Sequence, residues 1–297
     1  MAIIWKDSWP AHRVKGLSVR YLRELFASGE LLWNLTQREI RGKYKRTALG
    51  QLWSLANPIA AILIYTFVFA FVFQLDAPVG DPSGLENYAL FLVCGLLPWL
   101  FFSRVLGQGV EIIVNNAGLI QKVYFPRVVL PLSLTSAIFF SWMFEMAVLV
   151  AALLIVQAFF VLPLVPVVLA YMVVLAVFAS GVAMVASIIN VYFRDMFYLT
   201  SVALQFWFYL TPILYPISLV ETQSDRLGGI FGSPVTVLDI YRLNPMETFV
   251  EVFRNLLYDN RLPDLSTTLI TLGWAVVAAV AGLWMFSRKE RALAELL

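Results

Sequence analysis

The sequence has almost none of the residues that build metal centres and nucleophilic active sites. Its 297 residues include one cysteine, Cys94, and one histidine, His12. One cysteine cannot form an internal disulfide, and the two residues cannot supply a zinc-type ligand set. The motifs GxxxxGK followed by Ser or Thr, GxGxxG, HExxH and GxSxG are absent as well. We therefore expect no catalytic residues, no metal and no bound cofactor.

Charged residues are also scarce. They make up 13% of the chain, whereas apolar residues make up 61%, and average soluble domains have about 25% and 45–50%. The 21 Lys and Arg nearly balance the 19 Asp and Glu. This balance argues against nucleic acid as a partner, which requires a basic face. The apolar excess is too large for one water-soluble core and indicates an integral membrane protein.

Long apolar segments are what the sequence does contain. A helix that crosses a bilayer needs about 20 mostly apolar residues. The sequence predicts an all-α membrane protein with six spans, at 56–75, 88–110, 133–160, 164–188, 196–217 and 266–286. These segments are too long for the strands of an outer-membrane barrel. The first 50 residues lack the pattern of a cleaved signal peptide, so we expect the N-terminus to stay in the cytoplasm.

The distribution of Lys and Arg predicts the orientation of the spans. With both termini in the cytoplasm, the inner side holds 16 of these residues and the outer side four. The predicted organisation is a cytoplasmic region at 1–55, a six-span domain at 56–290 with an external segment at 218–265, and a cytoplasmic tail at 291–297.

Residues 31–49 combine apolar and basic side chains. This composition suits a helix in the inner headgroup layer, with its basic side toward anionic membrane lipids. The alternative is a flank that only sets the topology. The basic residues are Arg38, Arg41, Lys43, Lys45 and Arg46.

Segment 244–260 carries the start signals of an outer amphipathic helix. Asn244 can cap the helix, Pro245 suits its first position, and Glu247 completes a capping-box-like arrangement. Its apolar residues share one face, and Glu251, Arg254 and Asp259 are predicted to lie elsewhere. The helix is expected to lie on the membrane, dip into it, or pack as a lid, but not to span it. The apolar face comprises Met246, Phe249, Val250, Phe253 and Leu257.

Two cytoplasmic loops are candidates for contact with a partner. In loop 111–132, Asn115 or Asn116 can cap a short helix, which suits insertion into a groove of a soluble protein. A plain connection is the equal alternative. Loop 189–195 ends in Arg194 and Asp195, which we expect to form an ion pair.

Two ionisable residues fall within predicted spans. Glu145 lies about 18 Å from the cytoplasmic start of the third span, and Arg104 lies near the inner end of the second. Their predicted depths differ, so the sequence does not predict a pair. Glu145 is the one candidate for proton coupling, against a packed, hydrogen-bonded carboxyl.

Aromatic residues are dense and form two stripes. Sugar rings pack their C–H faces on aromatic planes, whereas Tyr and Gln can hydrogen-bond hydroxyl groups. The alternative is that each residue faces lipid or a neighbouring helix. The candidates for a glycan pathway are Tyr65, Phe69 and Phe73 in the first span, Trp99 in the second, and Tyr198, Gln205 and Tyr209 in the fifth.

Four segments in this order resemble the membrane subunits of ABC-type polysaccharide exporters, within the type-2 ABC export permeases. They are REIRGKYKRTALGQLWSLANP at 38–58, NNAGLIQKVYFPRVVLP at 115–131, NVYFRD at 190–195 and LNPMETFVEVFR at 243–254. The resemblance covers residues 31–290. It implies export of a polyprenyl-diphosphate-linked, O-antigen-like glycan across the bacterial inner membrane, as in lipopolysaccharide biosynthesis. Teichoic acid, lipid or drug cargo on the same frame is the alternative, and a secondary transporter is a remote one.

The resemblance also implies partners and roles. The chain would form a homodimer with two ABC ATPase subunits, which alone would hold ATP and Mg²⁺. The basic helix at 31–49 would be a gate helix, and its five basic residues would attract the diphosphate of the carrier. The glycan pathway would follow the first and fifth spans at the dimer interface. The helices at 218–262 would form an outer gate. Contact with the ATPase would fall on Asn115, Asn116, Leu119, Ile120, Lys122, Tyr124, Phe125, Arg194 and Asp195.

Overall fold

A computed structural model of the protein describes residues 27–44, 53–73, 78–123, 125–156, 158–227 and 236–289. The regular elements of these residues are all helical. In chain order they are α1 (Gly29–Tyr44), α2 (Trp53–Tyr65), α3 (Tyr88–Gly109), α4 (Ile112–Asn115), α5 (Ala117–Lys122), α6 (Val129–Ile155), α7 (Val165–Tyr192), α8 (Met196–Leu210), α9 (Ile217–Leu227), α10 (Val237–Arg242), α11 (Pro245–Arg254) and α12 (Leu265–Lys289). Two π-helical segments, Thr66–Val72 and Asn255–Asp259, continue α2 and α11, and a 3₁₀ helix, Phe159–Leu164, leads into α7.

Within the described ranges, four helices are long and apolar enough to cross a membrane. They are α3, α6, α7 with its preceding 3₁₀ turn, and α12, and they match four of the six predicted spans. The predicted span at 56–75 corresponds to α2 and its π-helical continuation. The predicted span at 196–217 is shorter in the structure, because α8 ends at Leu210. Thr211 is extended there, since the residue before Pro212 is disfavoured in helical geometry.

The central helix of the bundle is α3. The buried share of its apolar window is 83%, against 39%, 28% and 22% for the other three long helices. It packs against α6, α7 and α11. The rings of Phe101 and Trp142 stack with centroids 4.3 Å apart, and Phe253 of α11 meets Trp142 edge-on at 5.7 Å. The aromatic layer therefore joins α3, α6 and α11.

The helices α7 and α12 make the most extensive contact of the bundle. Small residues let the two backbones approach. A Cβ atom on Gly181 would lie 2.3 Å from the carbonyl carbon of Ala278, and one on Gly282 would lie 2.8 Å from the carbonyl oxygen of Gly181. No larger side chain fits at either glycine without moving the helices apart.

The outer helix α11 forms where the sequence predicts it. The side chain of Asn244 accepts a hydrogen bond from the amide of Met246 (3.0 Å), and Pro245 takes the first position. The five apolar residues assigned to its inner face are fully buried. A capping box is found instead at the start of α10, between Thr236 and Asp239. With ten residues, about 15 Å, α11 does not span a bilayer.

Candidate functional site

A buried ion pair joins two of the long helices. The Nη1 atom of Arg104 on α3 lies 2.5 Å from Oε1 of Glu145 on α6. The Glu145 side chain is 1% exposed and the Arg104 side chain 20%. The two residues pair although their predicted depths differ, so this pair is one that the sequence did not predict.

The pair is reached from different levels of two antiparallel helices. Phe101 stacks on Trp142, and Leu134, earlier in α6, lies beside Gly109, later in α3, so the two helices run in opposite directions. Arg104 and Glu145 each lie three residues beyond the stack, so they are displaced from it in opposite directions, about 9 Å apart along the bundle at 1.5 Å per residue. The long side chain of Arg104 extends along the bundle and covers most of this interval. Helix positions alone do not include that reach.

The connection between α3 and α6 folds into the two short helices α4 and α5. Of the two alternatives left open for loop 111–132, one short helix or a plain connection, the structure favours the helical one. Asn116 precedes α5, but its side chain does not cap the helix. Its Nδ2 donates to the carbonyl of Ile112 (2.8 Å), and its Oδ1 accepts from Nη2 of Arg38 (2.8 Å). Arg38 also donates to Glu39 (2.7 Å). A residue predicted to bind diphosphate thus ties α1 to this loop.

The residues predicted to contact an ATPase differ in exposure. In the loop, Asn115 and Lys122 are exposed, Asn116 and Leu119 are partly buried, and Ile120 and Phe125 belong to the core. Tyr124 lies outside the described residues. The outward surface of α4 and α5 is therefore polar, with the half-exposed Val123 at its end.

After α7, Arg194 and Asp195 are both exposed. Among the ion pairs that the structure describes, none joins these two residues, so the predicted pair is wrong. Exposed neighbours gain little from pairing, because water solvates each charge. Both side chains are available to another protein.

The described side chains of the predicted pathway residues lie in three places: the exposed side of α8, the α2 helix with its extension, and the packed interior between α3 and α8. Tyr198, Gln205 and Tyr209 lie on the exposed side of α8. Phe73 at the end of the α2 extension is 62% exposed, and Tyr65 is partly buried.

The remaining two pathway candidates differ from these. The side chain of Phe69 lies outside the described residues. Trp99 is 4% exposed and packs against Trp207 and Phe208 of α8, with ring centroids 6.2 and 5.8 Å away. The structure places Trp99 in the packing between α3 and α8 rather than on a surface.

The first stripe, Tyr65, Phe69 and Phe73, runs from the end of α2 through its π-helical continuation. The amide of Phe73 bonds there to the carbonyl of Val68, five residues earlier, as in a π-helix. The exposed apolar side of this segment includes Phe67 and Phe71, whose rings lie parallel with centroids 6.3 Å apart.

Arg254 is a residue whose place the sequence analysis missed. It was assigned to the polar side of α11, but the structure buries it. It donates to the carbonyls of Pro212 (2.5 Å) and Ile213 (2.6 Å), and its guanidinium lies 3.8 Å from the centroid of the Phe91 ring. Gly95 leaves the space, because a Cβ atom there would lie 3.1 Å from Nη2. One side chain therefore joins α11 to α3 and to the segment after α8.

A further polar contact supports the same junction. The indole of Trp207 donates to Oδ1 of Asn244 (2.6 Å), and Nδ2 of Asn244 bonds to the carbonyl of Leu210 (3.1 Å). The residue that caps α11 thus also holds the end of α8. The sequence signal for this junction was the proline after α8, which frees nearby carbonyl groups for a donor.

Comparison with known proteins identifies the family. The model of the ABC-2 type transporter family matches residues 30–225, from α1 to α9. The chain belongs to this family. The resemblance inferred from the sequence is confirmed, and the protein is a multi-pass inner-membrane permease.

Three relatives show how far the similarity extends. The O-antigen export system permease protein RfbA of Myxococcus xanthus is 31% identical over 279 residues, which cover 93% of this chain and 99% of the relative. A protein of the same name from Klebsiella pneumoniae is 28% identical, over 90% of this chain and 95% of the relative. The polysialic acid transport protein KpsM of Escherichia coli is 25% identical over 63% of this chain and 70% of the relative.

Proposed function

We propose that this chain is the membrane subunit of an ATP-driven exporter that moves a polyprenyl-diphosphate-linked, O-antigen-type polysaccharide from the cytoplasm across the inner membrane. The observation that carries the proposal is the similarity to an O-antigen export permease along 99% of that relative's length. Because the match is end to end, it includes the outer helices as well as the long spans. The KpsM similarity favours a capsule-type polysaccharide as the second candidate.

The proposed topology has six spans with both termini in the cytoplasm. Two more spans would join the four long helices. The first span in chain order would be α2 with its π-helical continuation, which together cover Trp53–Val72 and are long enough to cross. The fifth in chain order would be α8, whose 15 residues extend about 22 Å, with the segment after it completing the crossing.

A second copy of the chain would cover the apolar surfaces of α2 and α8. Leu63, Ile64 and Phe67 on α2 are each at least 58% exposed, and Tyr198 and Phe206 on α8 are 68% and 69% exposed. In the proposed dimer, these two helices from each copy enclose the pathway. The surface of Tyr198, Gln205 and Tyr209 then faces the cargo, and Trp99 supports it from behind.

ATP hydrolysis would take place in two separate ATPase subunits, which hold ATP and Mg²⁺. The short helices α4 and α5 would dock in a groove of each ATPase, with the exposed Arg194 and Asp195 as a second contact. The Arg104–Glu145 pair holds together α3 and α6, the two helices that flank this loop. A force on the loop would therefore move both helices as one unit.

The carrier diphosphate would be attracted by the basic residues of α1 and the segment after it. Arg38 and Arg41 lie on α1; Arg38 keeps an exposed side chain while it bonds to Asn116. The structure does not describe the side chain of Lys43 or any part of Lys45 and Arg46. The outer helices α9 to α11, joined to α8 through Arg254 and Asn244, would form the outer gate.

The proposal is tested by removing the protein from its own host. Loss of the chain should stop the appearance of the polysaccharide at the cell surface and leave carrier-linked glycan at the inner face. The wild-type chain should restore export, and should fail to do so beside an ATPase subunit that cannot hydrolyse ATP. Normal surface glycan without the chain would refute the proposal.

A further inference from the structure

A cleft between α1 and α6 lies apart from α2 and α8, the helices of the proposed pathway. Its volume is about 500 Å³, and its walls are the stripe of α1 from Gly29 to Arg41 and the facing residues of α6 from Ser136 to Met143. A second cleft of about 260 Å³ lies between α6 and α7. Both are lined by Ser136 and Phe139, so they meet on α6.

Most of the side chains that line the two clefts are apolar, and the hydroxyls of Ser136, Thr135 and Ser180 bond to backbone carbonyls of their own helices. Of the described residues that line them, Arg41 is the one with a charge, and Gln37 and Thr36 lie beside it on α1. No carboxylate of the described residues lies within 4 Å of Arg41. Arg38, one turn earlier, bonds to Asn116, so this end lies on the side of the α4–α5 loop. The cleft therefore has a cationic mouth and an apolar interior.

The outer walls of both clefts present exposed apolar side chains, which suits a surface that faces lipid. Met143 of α6 and Val173 of α7, one on the wall of each cleft, are 43% and 54% exposed on long apolar helices. A ligand that enters from this side must itself be dissolved in the bilayer. An apolar chain with an anionic head matches both the interior and the mouth.

The size of the cleft favours an ordinary acyl chain. At roughly 30 Å³ for a group the size of a water molecule, 500 Å³ holds on the order of 16 methylene-sized groups, and 260 Å³ on the order of nine. The two clefts together suit the two chains of one phospholipid, parted by Phe139.

The position of the cleft distinguishes a resident lipid from the cargo. None of the described side chains of α2 or α8 lines it, and those are the helices of the proposed pathway. A carrier lipid must leave with each transport cycle, whereas a lipid held between α1, α6 and α7 can stay.

We propose that this cleft binds one anionic phospholipid per chain, with its phosphate at Arg41 and its acyl chains on either side of Phe139. The lipid fills the space under α1 and holds this helix against α6. The role given to Arg41 under the proposed function thereby changes, from the carrier diphosphate to a resident phospholipid, which leaves the neighbouring basic residues for the carrier. The site does not depend on which polysaccharide the protein exports.

The test uses the whole complex in nanodiscs of phosphatidylglycerol and phosphatidylethanolamine, followed by gentle release and native mass spectrometry. Wild-type complex should retain about one phosphatidylglycerol per chain. Arg41→Gln should weaken retention about fivefold, which corresponds to one basic residue at an anionic surface. Ser136→Phe should abolish it by filling the junction of the clefts, and Arg226→Gln on the exposed surface of α9 should leave it unchanged.

Thermal unfolding of each variant separates loss of the site from loss of the fold. Retention that is equal in wild type, Arg41→Gln and Ser136→Phe, with all three folded, would overturn the proposal. So would a wild-type complex that retains no phospholipid. Retention of a prenyl diphosphate in place of phosphatidylglycerol would overturn the assigned occupant and place the carrier in this cleft.

Discussion

Removing one partner of the Arg104–Glu145 pair should harm the protein far more than removing both. Replacement of Glu145 by Leu leaves a guanidinium in an interior lined by Phe101 and Trp142. Breaking a buried pair in this way costs about 3–5 kcal/mol, whereas replacing both charges by apolar residues of similar size is often neutral or stabilising. The informative set is therefore Glu145→Leu, Arg104→Met and the two combined.

The structure predicts that the two single changes differ. Arg104 lies five residues from the end of α3 at Gly109, about 8 Å, so without its partner it can turn toward the headgroups. Glu145 lies ten residues, about 15 Å, from the nearer end of α6 at Ile155. We expect Glu145→Leu to cost near 3 kcal/mol and Arg104→Met near 5 kcal/mol. The double variant should lie within about 1 kcal/mol of wild type.

The assay combines thermal unfolding of the purified complex with export in the host. Single changes should lower the unfolding temperature by on the order of 10 °C. The exposed pair Arg242–Glu221, at 3.9 Å, is the matched control and should change little when either side chain is removed.

Export by the double variant decides the role of Glu145. If the pair only clamps α3 to α6, the double variant should export close to the wild-type rate. A double variant that is as stable as wild type but exports nothing would refute the clamp and favour a proton-coupled role for Glu145. Single variants as stable as wild type would refute the stated energetics.

Three further predictions concern the outer helices and the α7–α12 contact. Arg254→Met leaves the carbonyls of Phe91, Pro212 and Ile213 without their donor, so it should lower the free energy of unfolding by about 2–4 kcal/mol and impair export. Arg254→Lys should recover part of the unfolding temperature. Wild-type stability of Arg254→Met would contradict the role given to this residue. Gly181→Ala should lower the free energy of unfolding by about 1–3 kcal/mol, because its Cβ atom meets the backbone of α12. Gly273→Ala, with nothing within 4 Å of the new Cβ atom, should be neutral or stabilising by up to about 1 kcal/mol, and equal effects of the two changes in thermal unfolding would contradict the close approach. Burial, with a smaller contribution from the carboxylate of Glu251, raises the pKa of Glu247 to about 7 from 4.5. The folded state then holds a proton that the unfolded state releases, so stability should fall as pH rises from about 4.5 to about 7. Glu247→Gln should remove this dependence and be more stable by about 3 kcal/mol at pH 8, and an unchanged pH profile of unfolding would show that the carboxyl is not buried.

Local patterns in the sequence predicted much of the fold. Long apolar segments gave the four clear spans, and Asn244 with Pro245 gave the start of α11, because these signals depend only on neighbouring residues. For loop 111–132 the sequence left a short helix and a plain connection as equal alternatives, and the structure has two short helices there. The end of α8 was placed too late, since the constraint imposed by Pro212 on Thr211 outweighed the apolar composition.

Long-range contacts were beyond the sequence. Arg104 and Glu145 pair because the long side chain of Arg104 extends along the bundle to the depth of Glu145 on the neighbouring antiparallel helix. The positions of the two residues along their helices do not reveal this reach. Arg254 is buried because Gly95 and the carbonyls after α8 lie opposite it, and these groups are far apart in the chain. The cap expected of Asn116 was displaced by its bond to Arg38, 78 residues earlier. Trp99 is likewise buried by its contacts with Trp207 and Phe208 of α8, which lie more than 100 residues later in the chain.

The composition of the complex in its own host tests most directly whether this chain is part of an ATP-driven exporter. The protein is tagged, reversibly cross-linked in cells, extracted gently and weighed by native mass spectrometry. We expect a complex of two copies of this 33.5-kDa chain with two ATP-binding subunits. An oligomer of this chain that is repeatedly free of any ATP-binding subunit would contradict an ATP-driven exporter.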